Sequence, residues 1–197
     1  MCVALPPLKE FDHSKAMKDL AKAQIPLYAS QGTFDDMKVN GNAMIEGKVY
    51  KIGEFRVLGF KIMHETSEPF GFLINHPDTG NILFATDTYF LPNRFANLSH
   101  ILIEANYSDE IIEDNLRKGI VNGYLRDRTL ESHMSLKTTI ETLQANDLGK
   151  VVTIVLLHLS DRNSNAQQFK NEVWLSTGKP TFVAEPGLDI KITKTPW

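Results

Sequence analysis

The chain of 197 residues has one cysteine, Cys2. A single thiol excludes an intrachain disulfide and any zinc site built from several thiolates, so a metal here has to be held by histidine and carboxylate. No stretch approaches the ~18 apolar residues of a membrane span. The longest apolar run, 151–157 (VVTIVLL), is broken only by Thr153 and reads as a buried strand. The opening MCVALPPLKEF lacks the basic start and long apolar core of a secretion signal, so a cytoplasmic protein without membrane association is expected. Neither sign of charge is in surplus. With 21 Lys+Arg against 24 Asp+Glu the net charge is -3, which gives no general pull toward nucleic acid and leaves room only for a local basic groove. There is no internal repeat and no low-complexity linker. Residues 1–197 are therefore read as one domain, long enough to bury a core without staples.

What is present is a change of pattern along the chain. Residues 13–24 space their apolar and small side chains as one face of a helix, which Pro26 ends. A short strand over 25–29 and a short helix over 31–37 follow, then strands over 48–50 and 55–63. The segments 70–74 and 81–86 flank His76-Pro77-Asp78-Thr79-Gly80, strong turn chemistry for a hairpin. Beyond it strands alternate with helices: strands over 101–104, 151–157 and 181–184, helices over 109–118, 135–145 and 165–175. Residues 122–132 read as a polar loop and 188–193 as an edge strand. Hairpins first and alternation later indicate an α/β fold with helices packed on sheets.

Six histidines are present: His13, His64, His76, His100, His133 and His158. A lone histidine is by default a surface or satisfied core residue. Four places nevertheless combine strand ends or helix starts with ligand-type side chains. His158 emerges from VVTIVLL, Asp87 from ILFAT, and His64 ends FRVLGFKIM. Asp12-His13 stands directly before the first helix, where helix capping by Asp12 is the plain alternative. Ligands in open α/β sheets gather outside the carboxyl ends of strands. Imidazole and carboxylate suit zinc, manganese or iron.

In this order the segments resemble the metallo-β-lactamase superfamily, and within it the nuclease and phosphodiesterase branches. The first motif of that family is His-x-His-x-Asp-His. Leu8-Lys9-Glu10-Phe11-Asp12-His13 keeps only its closing Asp-His. His64 in HETSEPFGFLI, Asp87 in ILFATDTYFLP and His158 in VVTIVLLHLSDRNSN fit the later ligands. SHMS around His133 is similar to a Gly-His-Leu-Ser element of exonuclease-like members. LIEANYSDE is similar to their Glu-Ser-Asn-His-Asp element, with Tyr107 where that element has histidine.

The resemblance implies an αββα sandwich lacking its first N-terminal strands, since members carry roughly fifty to sixty further residues before the motif. An uncovered sheet then implies self-association, such as a homodimer. It implies a metal site of Asp12, His13, His64, Asp87 and His158 holding one or two ions of zinc, manganese or iron. Paired ions would stand about 3.5–4 Å apart. The losses fall on one of the two metal positions, and the other keeps Asp12, His13, Asp87 and His158. Asp12 and His133 are the implied catalytic residues, with Arg126 and Arg128 set either to contact a phosphate or to lie on a solvated loop. The implied activity is hydrolysis of a phosphodiester or nucleic-acid substrate. The damaged first motif supports the alternative of an inactive protein that keeps the fold as a binding or structural module.

Overall fold

A computed structural model of the chain describes residues 2–3 and 15–194. The described elements are β1 (Cys2–Val3), α1 (Lys15–Lys22), β2 (Leu27–Ser30), α2 (Gln31–Met37), β3 (Asn42–Met44), β4 (Val49–Ile52), β5 (Phe55–Lys61), β6 (Phe70–His76) and β7 (Gly80–Ala85). They continue with β8 (Leu98–Glu104), α3 (Asp109–Arg117), α4 (Gly123–Ser132), α5 (Leu136–Gln144), β9 (Thr153–Leu157), α6 (Ala166–Thr177) and β10 (Thr181–Val183). No helix among the described residues is long and apolar enough to cross a membrane.

Two sheets form. The larger has the order β10-β9-β8-β7-β6-β5-β4 and the smaller β1-β2-β3. From β4 to β7 the pairing is antiparallel, built from hairpins, and from β7 to β10 it is parallel. The turn chemistry at 76–80 does close the β6–β7 hairpin, with Gly80 at a φ of 73° that a side chain would strain. The mixed sheet follows from the change of pattern: short turns permit only antiparallel neighbours, and helical crossovers permit parallel ones.

Alternation along the strands assigns the two faces of the large sheet. Leu58, Leu73 and Leu83 point to one side, where Leu136 and Leu143 of α5 and Phe169 and Val173 of α6 complete the main core. Val57, Phe72 and Phe84 point to the other, where Tyr28 and Met44 of the small sheet meet them. Met17 of α1 and Phe34 of α2 cover the far face of the small sheet against Leu27 and Ala29. The layers are thus helix, sheet, sheet, helix. Full burial of a side chain such as Phe72 contributes about 1.5–3 kcal/mol.

Three local readings need correction. Residues 122–132 are not a polar loop but contain helix α4, capped by the Asn122 side chain accepting from Leu125 N–H. The segment has no apolar stripe, and Tyr124 and Leu125 are exposed, so hydrophobic periodicity is silent there. Residues 188–193 are not a strand. The segment is held by single contacts instead: Thr193 O accepts from His100 Nε2, and Lys194 N–H donates to Asp78 O. The third is β3, three residues long and mostly exposed, which carries no alternation long enough to read.

Candidate metal centre

One direction of travel in the large sheet creates the site. β5, β7, β8 and β9 run the same way, so their carboxyl ends open on one edge. His64 follows β5, Asp87 follows β7, Glu104 ends β8 and His158 follows β9. Four non-adjacent segments therefore deliver ligand-type side chains to a single rim. His133 arrives from a different element, at the C-terminal end of α4. Its loop is tied to the chain leaving β8 by Asn106 N–H on Met134 O at 2.9 Å and Leu136 N–H on Tyr107 O at 2.8 Å.

Asp87, Glu104, His133 and His158 each place one ligand atom within 4.8 Å of the others. The rings of His133 and His158 meet edge to face with centroids 5.0 Å apart. His64 stands just outside this foursome, its ring centroid 6.4 Å from that of His133. Of the candidate residues, Asp87, His133 and His158 thus lie in one cluster and His64 lies beside it. Asp12 and His13 lie outside the described residues.

Glu104 is the member of this cluster that the sequence reading does not single out. It is fully buried, with Oε1 accepting from His133 Nδ1 at 2.7 Å and from His158 Nδ1 at 3.0 Å. Its other oxygen, Oε2, accepts from Thr88 N–H at 2.8 Å. Three of the four lone-pair sites of the carboxylate are therefore taken. Its signal was available: an acid ending the apolar run ILIE is the same pattern as Asp87 after ILFAT.

Electrostatics follow from this packing. Burial pushes the Glu104 carboxyl up, but hydrogen bonds from His133 and His158 prevail and hold it below the ordinary glutamate value. Ionised, it accepts only, so both rings present Nδ1–H to it and leave Nε2 for other work. Burial opposes the charge on His158, yet Asp87 and Glu104 outweigh it and push its pKa up to about 10. For His64, burial dominates and lowers the pKa despite the charge of Asp87.

The backbone is shaped for the same end. Asp87 and His158 both adopt φ of 56°, the left-handed region that costs a non-glycine residue about 1–3 kcal/mol when it is held there. Asn106 holds His158 in that conformation, its Nδ2 donating to His158 O at 2.7 Å.

The donor set fits a divalent cation. Both ring nitrogens of His64 are buried without a hydrogen-bond partner. Asp87 Oδ1 is also buried, 2.8 Å from His158 Nδ1 but out of line for its N–H, which Glu104 takes. An unsatisfied buried polar group costs about 1–3 kcal/mol. Imidazole and carboxylate oxygen are ligand types that a divalent cation takes, so such an ion at this rim would give these atoms a partner. Arg126 takes no part, because its guanidinium is engaged by Glu113 and Asp127. Arg128 is exposed on α4.

No family model matches the sequence, and no curated protein matches it. Solved structures do. A metallo hydrolase from the hyperthermophilic archaeon Ignicoccus hospitalis is 14% identical, with a TM-score of 0.64 over 96% of this chain and 80% of its own. The metallo-β-lactamase fold protein YhfI of Bacillus subtilis, also 14% identical, gives 0.65 over 95% of this chain and 76% of its own. A diphosphatase of the PhnP family, again 14% identical, gives 0.62 over 94% and 68%. The mixed seven-stranded sheet, the helix–sheet–sheet–helix layering and these likenesses agree, and the chain has the metallo-β-lactamase fold.

Proposed function

We propose that the chain is a metal-dependent hydrolase of phosphodiester bonds. The observation that carries this reading is the buried cluster itself: Asp87, Glu104, His133 and His158 within 4.8 Å, with unsatisfied donor atoms on His64 and Asp87 beside it. His64, Asp87 and His158 would hold one or two ions of zinc, manganese or iron, and Asp12 and His13 join them by resemblance. A bound ion supplies an activated water at neutral pH and polarises the phosphoryl oxygen. Glu104 fixes the tautomer of both neighbouring histidines by accepting their Nδ1 protons. With Nδ1 so committed, His133 exchanges a proton through Nε2, the role of a general acid toward a leaving oxygen. The phosphate chemistry of the structurally similar diphosphatase is in accord with this reading.

The test is metal analysis of the purified chain together with hydrolysis of bis(p-nitrophenyl) phosphate. One or two metal ions per chain and measurable turnover are expected. His158→Ala should lose both. His133→Ala should keep the metal and lose about 10²–10⁴ in rate. Near-zero metal that persists after reconstitution with zinc, manganese and iron would overturn the reading.

A further inference from the structure

We infer that Thr88 is a positioning residue of the metal centre, whose hydroxyl fixes where His64 stands relative to Asp87 and Glu104. This rests on the reading of the centre as a metal site with His64 among its ligands. The rings of His133 and His158 are directed by Glu104 Oε1, which takes the Nδ1 of each. His64 has no such director, since both of its ring nitrogens are buried without a hydrogen-bond partner. Its place is therefore set through the backbone that carries it. The far end of its loop hangs on α2, where the Asp36 carboxylate accepts from Ser67 N–H and Oγ at 3.3 and 3.1 Å. On the near side the tie is Thr88.

Thr88 is fully buried and follows Asp87 directly. Its Oγ1 accepts at 3.0 Å from the N–H of Met63, the residue before His64, and donates to Phe90 O at 2.7 Å. Its own N–H donates to Glu104 Oε2 at 2.8 Å. Tyr89 N–H donates to Met63 O at 3.4 Å, so both polar groups of the Met63 backbone are bound to the segment that leaves β7. Three parts of the rim, the chain after β5, the chain after β7 and the end of β8, thus meet on one residue. The side chain suits this task for two reasons. A hydroxyl accepts and donates at once, as Met63 N–H and Phe90 O require. A β-branched side chain is stiff at χ1, so packing of the methyl group fixes where the oxygen points. Valine would keep the shape and leave Met63 N–H and Phe90 O without this partner, whereas serine would keep the bonds and lose the methyl.

The experiment reads the zinc affinity of the full chain by competition with a chromophoric chelator. Thr88→Val should lose about 10–100-fold, the usual size for a lost partner behind the ligands. Thr88→Ser should keep the native affinity. Where the valine variant does not fold, Thr88→Ala is read in its place. A double-mutant cycle with His64→Ala separates a merely structural role, because once His64 is gone the loss of the hydroxyl should cost no further affinity. If His64→Ala binds no zinc, the ring-nitrogen NMR signals of the zinc-saturated chain decide. In the variant without the hydroxyl, His64 should lose the shift of a metal-bound nitrogen while His158 keeps it. Native affinity without the hydroxyl, an equal loss in both backgrounds, or an unmoved His64 signal would overturn the proposal. A native chain that takes up no zinc, manganese or iron removes the metal reading and this role with it. Binding rather than turnover is measured, so a chain that holds zinc without cleaving bis(p-nitrophenyl) phosphate loses the phosphodiesterase reading alone.

Discussion

Glu104 Oε1 accepts from His133 Nδ1 at 2.7 Å, although 29 residues separate them in sequence. The contact joins the end of β8 to the C-terminal end of α4, and the same oxygen also takes the ring of His158 at 3.0 Å. A fully buried carboxylate is tolerable only where its charge is paired and its lone pairs are filled. Here the two imidazoles and Thr88 N–H do both. Filling the lone pairs of buried Glu104 is what fixes the direction of the His133 and His158 rings.

Replacing Glu104 with Gln tests that relationship while keeping the shape. The amide would set an N–H against either the ring Nδ1–H donors or Thr88 N–H, so one face of the network must break. Loss of such an orienting partner typically lowers metal affinity by 10–100-fold. Glu104→Gln should therefore show a loss of about that size in chelator competition, with the far-ultraviolet dichroism unchanged. An affinity equal to that of the native chain would sink the orienting role.

Asn106 supports the centre through the backbone. Its Nδ2 donates to His158 O, and its own carbonyl accepts from Ser160 N–H, so it brackets a residue held at φ of 56°. Asn106→Ala removes the first of these bonds. A destabilisation of about 1–3 kcal/mol is expected in urea unfolding, because the carbonyl of His158 loses its partner in a part-buried place. The variant should also weaken metal binding, since His158 is released from its strained conformation. Unchanged stability together with unchanged metal affinity would show that Asn106 does neither.

Much of this was legible in the sequence, and the reasons differ by element. The hairpin at 76–80 is marked by its turn residues, and the buried strand at 153–157 by the apolar run 151–157, broken only by Thr153. His64, Asp87 and His158 are readable because each stands one to three residues after a strand. Glu104 ends an apolar run as Asp87 follows one, but its pairing with two histidines depends on neighbours in space that the run does not state. α4 was misread because its helix is set by a cap and by the tethers on either side rather than by an apolar face. Which strands run the same way, and so which ends share a rim, is a property of topology that no local pattern states.

The loop that carries His64 is clamped to α2. Ser67 N–H and Oγ donate to the Asp36 carboxylate at 3.3 and 3.1 Å, and Glu68 Oε2 accepts from Gly32 N–H at 2.9 Å. Gly32 is required for the close approach, since a Cβ there would lie 2.5 Å from Ser67 O. Gly32→Ala must push the loop away, at a cost of about 1–3 kcal/mol by thermal or urea unfolding. His64 moves with it, so metal affinity should fall as well. A variant with lowered stability and native metal affinity would separate the clamp from the site.

His100 gives a pH dependence far from the centre. It lies in the middle of the large sheet, fully buried, paired in register with Ile82 and Thr153, with Nε2 on Thr193 O at 3.0 Å. Burial lowers its pKa below the ordinary histidine value, against the opposing pull of the Thr193 carbonyl. The unfolded chain then takes up a proton near pH 6.5 while the folded chain does not. Stability rises with pH wherever the unfolded state binds more protons, so this group destabilises the fold as pH drops below about 6.5. The effect stops growing once the folded pKa is passed, and its slope is at most about 1.4 kcal/mol per pH unit. His64 is lowered in the same direction, so the contribution of His100 has to be isolated by substitution. His100→Gln keeps a donor for Thr193 O and removes the titration. Its urea midpoint between pH 7.5 and 5.5 should fall less steeply than that of the native chain. Parallel slopes for the two proteins would assign the acid sensitivity to the other histidines.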